Sequence, residues 1–176
     1  MSQRIGIFGG SFNPPHVGHM EICKYLLDNG DLDKILIVPC FNHPFRKELA
    51  PYEDRLTMCK FAFAGHADKV VVSDIERDIG GPSHTVKTIE RLIFNHPEDR
   101  FVLIVGSDTR KEMDGWKDAE KIKSMVRLIT IPRGPDSHIS NISSSDVRMS
   151  IKDGKSFEHL VSREIAVYII THGLYS

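Results

Sequence analysis

The sequence predicts an α/β fold: a Rossmann-like parallel sheet with helices on both faces and a small helical part at the C-terminus. Short apolar runs typical of buried parallel strands alternate with segments whose apolar residues recur at helical spacing. Strands separated by helices favour a parallel sheet with right-handed crossover connections. The 176 residues contain no internal repeat, low-complexity tract or linker. We therefore predict a single domain over residues 1–176 with a sizeable core.

The predicted strands are five short apolar runs, at residues 5–8, 34–38, 70–72, 101–105 and 128–131. Two helices are predicted between them. One covers residues 51–64 and has acidic residues in its first turn, and the other covers 85–94 and ends before His96-Pro97. A further helix should begin near Pro15, directly after the first strand.

The composition is ordinary for a globular protein, with 27% charged and 40% hydrophobic residues. A net charge of −1 gives no electrostatic reason to expect a nucleic-acid or anionic-membrane partner. No apolar run reaches the length of a membrane span, and the N-terminus leads into a strand without a signal-peptide pattern. The three cysteines are scattered without metal-binding spacing, so we expect core packing for them and a reducing, cytoplasmic location.

The most informative stretch follows the first strand. Gly9 and Gly10 are expected to end that strand, because glycine permits positive φ and close approach of the backbone to a ligand. The prolines at 14 and 15 suit a first helical turn, where the missing N–H costs nothing. This pattern predicts a strand, a glycine turn and a helix N-terminus with exposed N–H groups. Such an arrangement binds anions, above all phosphate.

Two histidines lie at this predicted helix N-terminus. His16 and His19 are three residues apart, so they share one face of the helix, and Gly18 between them should leave room for a group to lie against the turn. Beside phosphate, we expect these rings to be held as imidazolium. A zinc site is the weaker alternative, because no Cys-x-x-Cys or third close histidine accompanies the pair.

Other polar residues follow the remaining strands, where ligands of parallel α/β sheets bind. Arg46 and Lys47 lie in the loop after the second strand, Gly106 and Asp108 follow the fourth, and Arg133 follows the fifth.

A second predicted phosphate cradle lies near the C-terminus. The serines at 143–145 precede Asp146, which is typical of a helix N-cap with hydroxyls and N–H groups available. Arg148, one turn further, can bind phosphate through two hydrogen bonds. A plain serine cap followed by a solvated arginine is the alternative.

Residues 9–19 resemble the Gly-Gly-x-Phe-(Asp/Asn)-Pro-x-His-x-Gly-His signature of the HxGH nucleotidyltransferases. This resemblance implies transfer of a nucleotidyl group from a nucleoside triphosphate to a phosphate-bearing acceptor. In that superfamily the Gly-Gly backbone and both histidines face the triphosphate. Asn13 stands where many members have Asp, so the charge of that side chain is missing here.

The rest of the chain is similar to the bacterial-type nicotinate-nucleotide adenylyltransferases. The matching segments are 46–47 with 55–56, 82–88 (Pro-Ser-His-Thr-Val-Lys-Thr), 106–108 with Trp116, 142–148, 160–169 and the tail at 172–175 (His-Gly-Leu-Tyr). The resemblance implies an enzyme of NAD biosynthesis that joins the AMP moiety of ATP to nicotinate mononucleotide and releases pyrophosphate.

The resemblance also implies a role for each matching residue. Catalysis would fall to His16, His19 and Arg148. The ATP-binding residues would be Gly9, Gly10, Ser11, Phe12, His16, His19, Gly106, Asp108, Ser143, Ser144, Ser145 and Arg148. The acceptor-binding residues would be Asn13, Arg46, Lys47, His84, Thr85, Trp116 and Arg133. Mg²⁺ would arrive on the phosphates of ATP, without metal ligands from the protein.

Several of these roles have structural alternatives. Trp116 could stack on a pyridine ring or pack in the core, and Asp108 could bind a ribose or cap the next helix. Either Arg46 or Lys47 could correspond to the one basic residue that the family has in this loop, and either could instead be a solvated side chain.

The acceptor itself also has alternatives. His84 replaces the usual Tyr and Cys40 the frequent Asn near the expected nicotinate pocket. Nicotinamide mononucleotide or phosphopantetheine could therefore replace nicotinate mononucleotide, and a non-catalytic nucleotide sensor represents a different class. Whether the chain forms a homo-oligomer stays open.

Overall fold

The predicted α/β fold is confirmed by a computed structural model that describes residues 2–45, 47–132, 134 and 137–176. A five-stranded sheet has the order β3-β2-β1-β4-β5, and every neighbouring pair of strands is parallel. The strands are β1 (Arg4–Gly10), β2 (Lys34–Pro39), β3 (Val70–Val72), β4 (Arg100–Gly106) and β5 (Arg127–Ile131). Each contains the corresponding predicted run.

The helices lie between the strands and after β5. They are α1 (Val17–Asp28), α2 (Tyr52–Phe63), α3 (Ile75–Ile79), α4 (Thr85–Asn95), α5 (Ser107–Glu112), α6 (Ala119–Met125), α7 (Ser144–Lys152) and α8 (Arg163–His172). The predictions for α2 and α4 were correct to within one residue at each end. The bounds of α3, α5 and α6 could not be predicted, because each is shorter than two full turns and shows too little periodicity.

The sheet is covered on both faces. Adjacent residues Ile7 and Phe8 of β1 lie in different core layers, as the alternation of side chains along a strand requires. The layer around Phe8 contains buried residues of α1, α2, α7 and α8. The layer around Ile7 contains buried residues of α3, α4 and α6. No helix formed by the described residues is long and apolar enough to cross a membrane.

The strand order creates a binding edge between β1 and β4. The connection from β1 proceeds to β2 and β3 on one side, and the chain then returns to place β4 on the other side of β1. The two loops that leave the carboxyl ends of β1 and β4 therefore diverge, which opens the crevice where ligands of such sheets bind.

One local prediction was wrong. Gly9 and Gly10 do not break the strand after Phe8, because β1 continues through Gly9 to Gly10 and both pair in register with Val38 and Pro39 of β2. Neither glycine has a positive φ, and the chain turns two residues later, at Phe12, whose φ is 46°.

Candidate active site

The turn after β1 is held in an unusual backbone conformation. Phe12 occupies the left-handed region, which is rare for a bulky residue, and its ring is only 2% exposed. The peptide bond between Asn13 and Pro14 is cis. A methyl group on Gly10 would lie 3.3 Å from the Phe12 ring, so the glycine allows this ring to fold beneath the end of the strand. Buried packing thus sustains the left-handed conformation of Phe12, and backbone strain of this kind is common at functional sites.

Gly9 has a different environment from Gly10. It is exposed at the end of the central strand, and a methyl group there would meet only the Val38 carbonyl, at 4.0 Å. The fold therefore leaves open space beside Gly9, at the edge where a ligand would bind.

His16 and His19 come together at the start of α1, as predicted. His16 is the N-cap residue, and the centroids of the two rings are 3.8 Å apart. They are 2% and 9% exposed, and the His19 ring also packs against Phe12, with 4.8 Å between centroids.

A hydrogen bond between these residues indicates which nitrogen of the His19 ring is protonated in this structure, and the imidazolium expected beside phosphate stays a prediction. The backbone N–H of His16 donates to Nδ1 of His19 at 3.1 Å. An imidazolium has no acceptor nitrogen, so His19 is neutral here and carries its proton on Nε2. Nε2 is then the hydrogen-bond donor that His19 can offer to a phosphate.

Gly18 is buried against protein atoms. A methyl group there would lie 3.2 Å from the His16 ring and 3.2 Å from the backbone carbonyl of Ser140. Ser140 is itself fixed to α1, because its N–H and hydroxyl donate to the Glu21 carboxylate at 2.7 and 2.8 Å. The space expected beside Gly18 is therefore filled by the His16 ring and the Ser140 carbonyl.

The predicted N-cap at the start of α7 is confirmed. The hydroxyl of Ser143 accepts from the N–H of Asp146 at 3.2 Å, and the Asp146 carboxylate accepts from the N–H of Ser143 at 2.8 Å. The hydroxyl of Ser143 also donates to this carboxylate at 2.7 Å. These bonds favour the ionised form, so they lower the pKa of Asp146 below its usual value, with a further contribution from nearby His16.

Helix α7 docks on the turn after β1. The Ser144 hydroxyl donates to the Pro14 carbonyl at 2.7 Å, and the Arg148 guanidinium donates to the Asn13 carbonyl at 2.7 Å. A second nitrogen of Arg148 donates to the Ser145 hydroxyl at 3.1 Å. The two predicted phosphate cradles, at the starts of α1 and α7, therefore meet at one turn.

Asn13 is 4% exposed and links three parts of the chain. Its Oδ1 accepts from the N–H of Ala50 and from the hydroxyl of Tyr175, both at 3.0 Å. In this structure the side-chain oxygen is used inside the protein, and the acceptor-binding role of Asn13 stays a prediction.

On the other side of the crevice, the loop after β2 is fixed to the segment before α4. The N–H of Phe41 donates to the Glu76 carboxylate and to the Ser83 hydroxyl, both at 3.1 Å. Thr88 of α4 donates to the same carboxylate at 3.1 Å. His84 is the N-cap of α4 and Thr85 is its first residue, so the predicted acceptor segment lies beside this loop.

The loop after β2 also contains titratable side chains. Lys47 is exposed. Burial is the main cause that lowers the pKa of His43, and the positive charge of Lys47 lowers it further. Burial raises the pKa of the Cys40 thiol to about 11. The predictions for Arg46 and Arg133 fall outside the described residues.

Gly106 and Asp108 lie at the end of β4, as predicted. The N-cap of α5 is Gly106, so the alternative that Asp108 caps this helix is wrong. The Asp108 carboxylate lies in the first turn and accepts from the N–H of Thr109 at 2.8 Å. Trp116 is half-buried against the core layer of α4 and α6, which is consistent with its packing alternative.

Sequence reasoning gave no role to Arg55 or to Tyr175. Arg55 is buried in α2, where it shares a helix face with buried Met58 and Cys59. A lone arginine at i, i+3, i+4 spacing with apolar residues was the signal that could have identified it.

Residues 7–150 match the family described as cytidylyltransferase-like. A Myxococcus xanthus protein named a probable nicotinate-nucleotide adenylyltransferase is 33% identical over 98% of this chain and 94% of its own length. A Thermus thermophilus protein of the same name is 33% identical over 98% of this chain and 99% of its own length.

Solved structures have the same fold. A Plasmodium falciparum nicotinic acid mononucleotide adenylyltransferase complexed with NaAD matches with a TM-score of 0.84 and 20% identity, over 98% of this chain and 97% of that one. The same protein complexed with APC matches with a TM-score of 0.81 and 19% identity, over 98% of this chain and 97% of that one.

Proposed function

The chain belongs to the cytidylyltransferase-like family and groups with the nicotinate-nucleotide adenylyltransferases, and from this membership we propose that it transfers AMP from ATP to nicotinate mononucleotide. The products are nicotinate adenine dinucleotide and pyrophosphate. One observation carries the assignment of the site: the N-termini of α1 and α7 meet at the turn after β1, beside two histidines and Arg148.

The reaction forms one bond and breaks another at the α-phosphorus of ATP. A phosphate oxygen of the mononucleotide attacks this phosphorus, and the bond from the phosphorus to the bridging oxygen of the leaving pyrophosphate breaks. The attacking phosphate is already an anion, so the protein need not supply a nucleophile or a strong base. It must align two anions and stabilise the charge that develops on the pyrophosphate.

The residues at the turn suit this task. His19 offers the N–H of Nε2 because its Nδ1 accepts from the backbone. Arg148 supplies a positive charge that its hydrogen bond to Asn13 fixes in position. The N-termini of two helices add N–H groups and the positive ends of their dipoles. These features support binding of the triphosphate at the turn, with Gly9 allowing close approach of the ligand.

The opposite side of the crevice is the proposed site of the mononucleotide. Lys47 is exposed there, and His84 and Thr85 form the start of α4. A cationic side chain on this loop and a helix N-terminus that follows the segment bonded to it suit the phosphate and carboxylate groups of this substrate.

Mg²⁺ enters the proposal as part of the MgATP substrate. This ion usually keeps several waters and binds substrate phosphates with few protein ligands. Among the described residues, the one group of three ligands with suitable spacing is His96, Glu98 and Asp99. It lies just before β4, at the opposite end of that strand from the crevice, so it does not belong to this site.

The test is pyrophosphate release from MgATP with nicotinate mononucleotide, nicotinamide mononucleotide and phosphopantetheine, assayed side by side. We expect the highest kcat/KM with nicotinate mononucleotide. A preference for either other acceptor would contradict the proposed substrate and retain the reaction. Binding of ATP without pyrophosphate release from any acceptor would favour a nucleotide sensor. We also propose a cytoplasmic location, which the free thiols of all three cysteines support.

A further inference from the structure

A buried arginine lies behind the two loops that face the crevice. Arg55 of α2 is 2% exposed. Its Nε donates to the carbonyl of Ala50 at 2.9 Å, and another guanidinium nitrogen donates to the carbonyl of Ser11 at 2.8 Å. Ser11 belongs to the turn after β1, and Ala50 ends the loop that contains Lys47. One side chain therefore joins the triphosphate side of the proposed site to its acceptor side.

The positive charge of Arg55 is not neutralised within the described part of the chain, where no carboxylate forms an ion pair with it. Arg77 provides a contrast. Both guanidinium groups lie over the Tyr52 ring, at 5.5 and 5.8 Å from its centroid, but Arg77 pairs with Glu53 at 3.0 Å and also with Asp74.

The titratable groups that act most strongly on the charge of Arg55 are neutral at pH 7. They are two thiols and two phenols, of Cys40, Cys59, Tyr52 and Tyr175. Burial raises the pKa of Cys40 to about 11 and that of Tyr52 to about 12, and it also raises the pKa values of Cys59 and Tyr175. Burial lowers the pKa of Arg55 itself, but a guanidinium stays protonated in proteins.

A buried cation without a counter-ion destabilises a protein unless an anion binds nearby. The loop that Arg55 holds is the one proposed to contact the triphosphate, and a phosphate group is the anion that would offset this charge. The carbonyls of Ser11 and Ala50 satisfy hydrogen bonds of the guanidinium but carry no net charge.

We propose that Arg55 is a positioning residue with an electrostatic function: it fixes Ser11 to Ala50 and its unpaired charge stabilises the bound triphosphate from behind the loop. This inference rests on the proposed function only in assuming that a nucleoside triphosphate binds at the turn after β1. It assigns two separable properties to one side chain, the forked hydrogen bonding and the charge.

Two variants separate these properties. Arg55→Gln removes the charge and the fork, and we expect it to weaken MgATP binding about tenfold and to lower kcat about 100-fold, because the loops lose their alignment. Arg55→Lys keeps a positive charge and loses the planar fork. We expect its MgATP affinity to stay within about threefold of the unmodified chain, whereas its kcat falls as in Arg55→Gln.

The control is Arg77→Gln. This variant removes an arginine that lies over the same Tyr52 ring but whose charge is already paired with Glu53. Its affinity and kcat should not change. MgATP binding is measured by calorimetry without acceptor, kcat by pyrophosphate release, and the folded fraction by thermal unfolding. Unchanged affinity and kcat in Arg55→Gln would overturn the inference. So would equal losses of affinity in folded Arg55→Lys and Arg55→Gln.

Arg55→Lys decides the question even where Arg55→Gln does not fold. Reduced kcat with retained MgATP affinity supports the two assigned properties, and loss of affinity in a folded Arg55→Lys protein contradicts them. The calorimetric comparison needs no acceptor. It therefore stands even if the unmodified chain releases no pyrophosphate with nicotinate mononucleotide, an outcome that would count only against the proposed function.

Discussion

The N–H of His16 donates to Nδ1 of His19 at 3.1 Å, and this bond determines which nitrogen of His19 carries the proton. The N-cap backbone of α1 therefore orients the ring on which the proposed chemistry depends. The rings are 3.8 Å apart, so two positive charges here would repel strongly. A neutral His19 that donates from Nε2 avoids this repulsion and needs no reorganisation when charge develops on the pyrophosphate.

His19→Ala should lower kcat by about 100- to 1,000-fold, because it removes a donor that stabilises developing charge. The KM for nicotinate mononucleotide should change by less than about threefold, since the ring belongs to the triphosphate side. Steady-state pyrophosphate release measures both quantities.

His172→Ala is the control for this variant. That histidine stacks on Tyr168 at the exposed end of α8. Its removal should leave kcat unchanged. The opposite pattern in His19→Ala, an intact kcat with a raised KM for the mononucleotide, would show that His19 binds the acceptor.

Gly18→Ala should reduce activity through His16. The added methyl group would lie 3.2 Å from the His16 ring and from the backbone carbonyl of Ser140, closer than most such contacts. We expect a loss of about 1–2 kcal/mol in the free energy of unfolding from overpacking, and about a tenfold decrease in kcat from displacement of the ring. Urea unfolding and pyrophosphate release measure these changes.

Gly65→Ala tests whether the effect is local. A methyl group at Gly65 would meet nothing within 4 Å, and this glycine does not have a positive φ. Its kcat should equal that of the unmodified chain. A Gly18→Ala protein with unchanged kcat would mean that the His16 ring is not required in its present position.

The strands and the main helices could be predicted because their signals are local. Apolar runs and helical spacing identify them without knowledge of distant contacts. The signature between Gly9 and His19 lies at the carboxyl edge of the sheet, where ligands of such folds bind, and the roles of its residues stay predictions. Gly9 and Gly10 were placed outside the strand wrongly, because glycine favours turns on average and the pairing of β1 with β2 overrides that preference.

The connections that support the site could not be predicted in this way. Tyr175 reaches Asn13 across 162 positions of sequence, and Arg55 reaches Ser11 across 44. Such contacts depend on how α2 and the C-terminal segment pack on the sheet. The tail at 172–175 has a family resemblance but no local signal for its hydrogen bond to Asn13, which depends on the packing of the folded chain.

Tyr175→Phe should weaken the site without abolishing it. The variant removes the hydroxyl that donates to Oδ1 of Asn13 at 3.0 Å, and the carbonyl of that same residue holds Arg148. We expect the free energy of unfolding to fall by about 1 kcal/mol, and kcat to fall about three- to tenfold as Arg148 becomes less well positioned.

Tyr168→Phe is the matched control, because its hydroxyl donates to Asp54 at 2.8 Å on the α2–α8 surface. It should leave kcat unchanged. Equal kcat values in the two variants would show that the C-terminal segment does not support catalysis.

Asp146→Asn should reduce stability in a pH-dependent manner. The bonds from the Ser143 hydroxyl and N–H lower the pKa of Asp146. Such a group stabilises the fold at pH values above its unfolded pKa of about 3.9, and the contribution is lost as the pH falls through the lower folded pKa. Near pH 7 the variant should lose about 0.5–1 kcal/mol, since one half of the capping box is gone and the carboxylate is exposed to solvent screening.

Urea unfolding from pH 7 down to about pH 3 checks this expectation. The difference between the unmodified chain and Asp146→Asn should be constant near neutral pH and should shrink below the unfolded pKa of about 3.9. Asp31→Asn, on the exposed loop before β2, is the control for the loss of one negative charge. A difference that grows as the pH falls would have the wrong sign for a carboxylate with a lowered pKa. It would mean that the ionised Asp146 carboxylate does not stabilise the start of α7 through its bonds to Ser143.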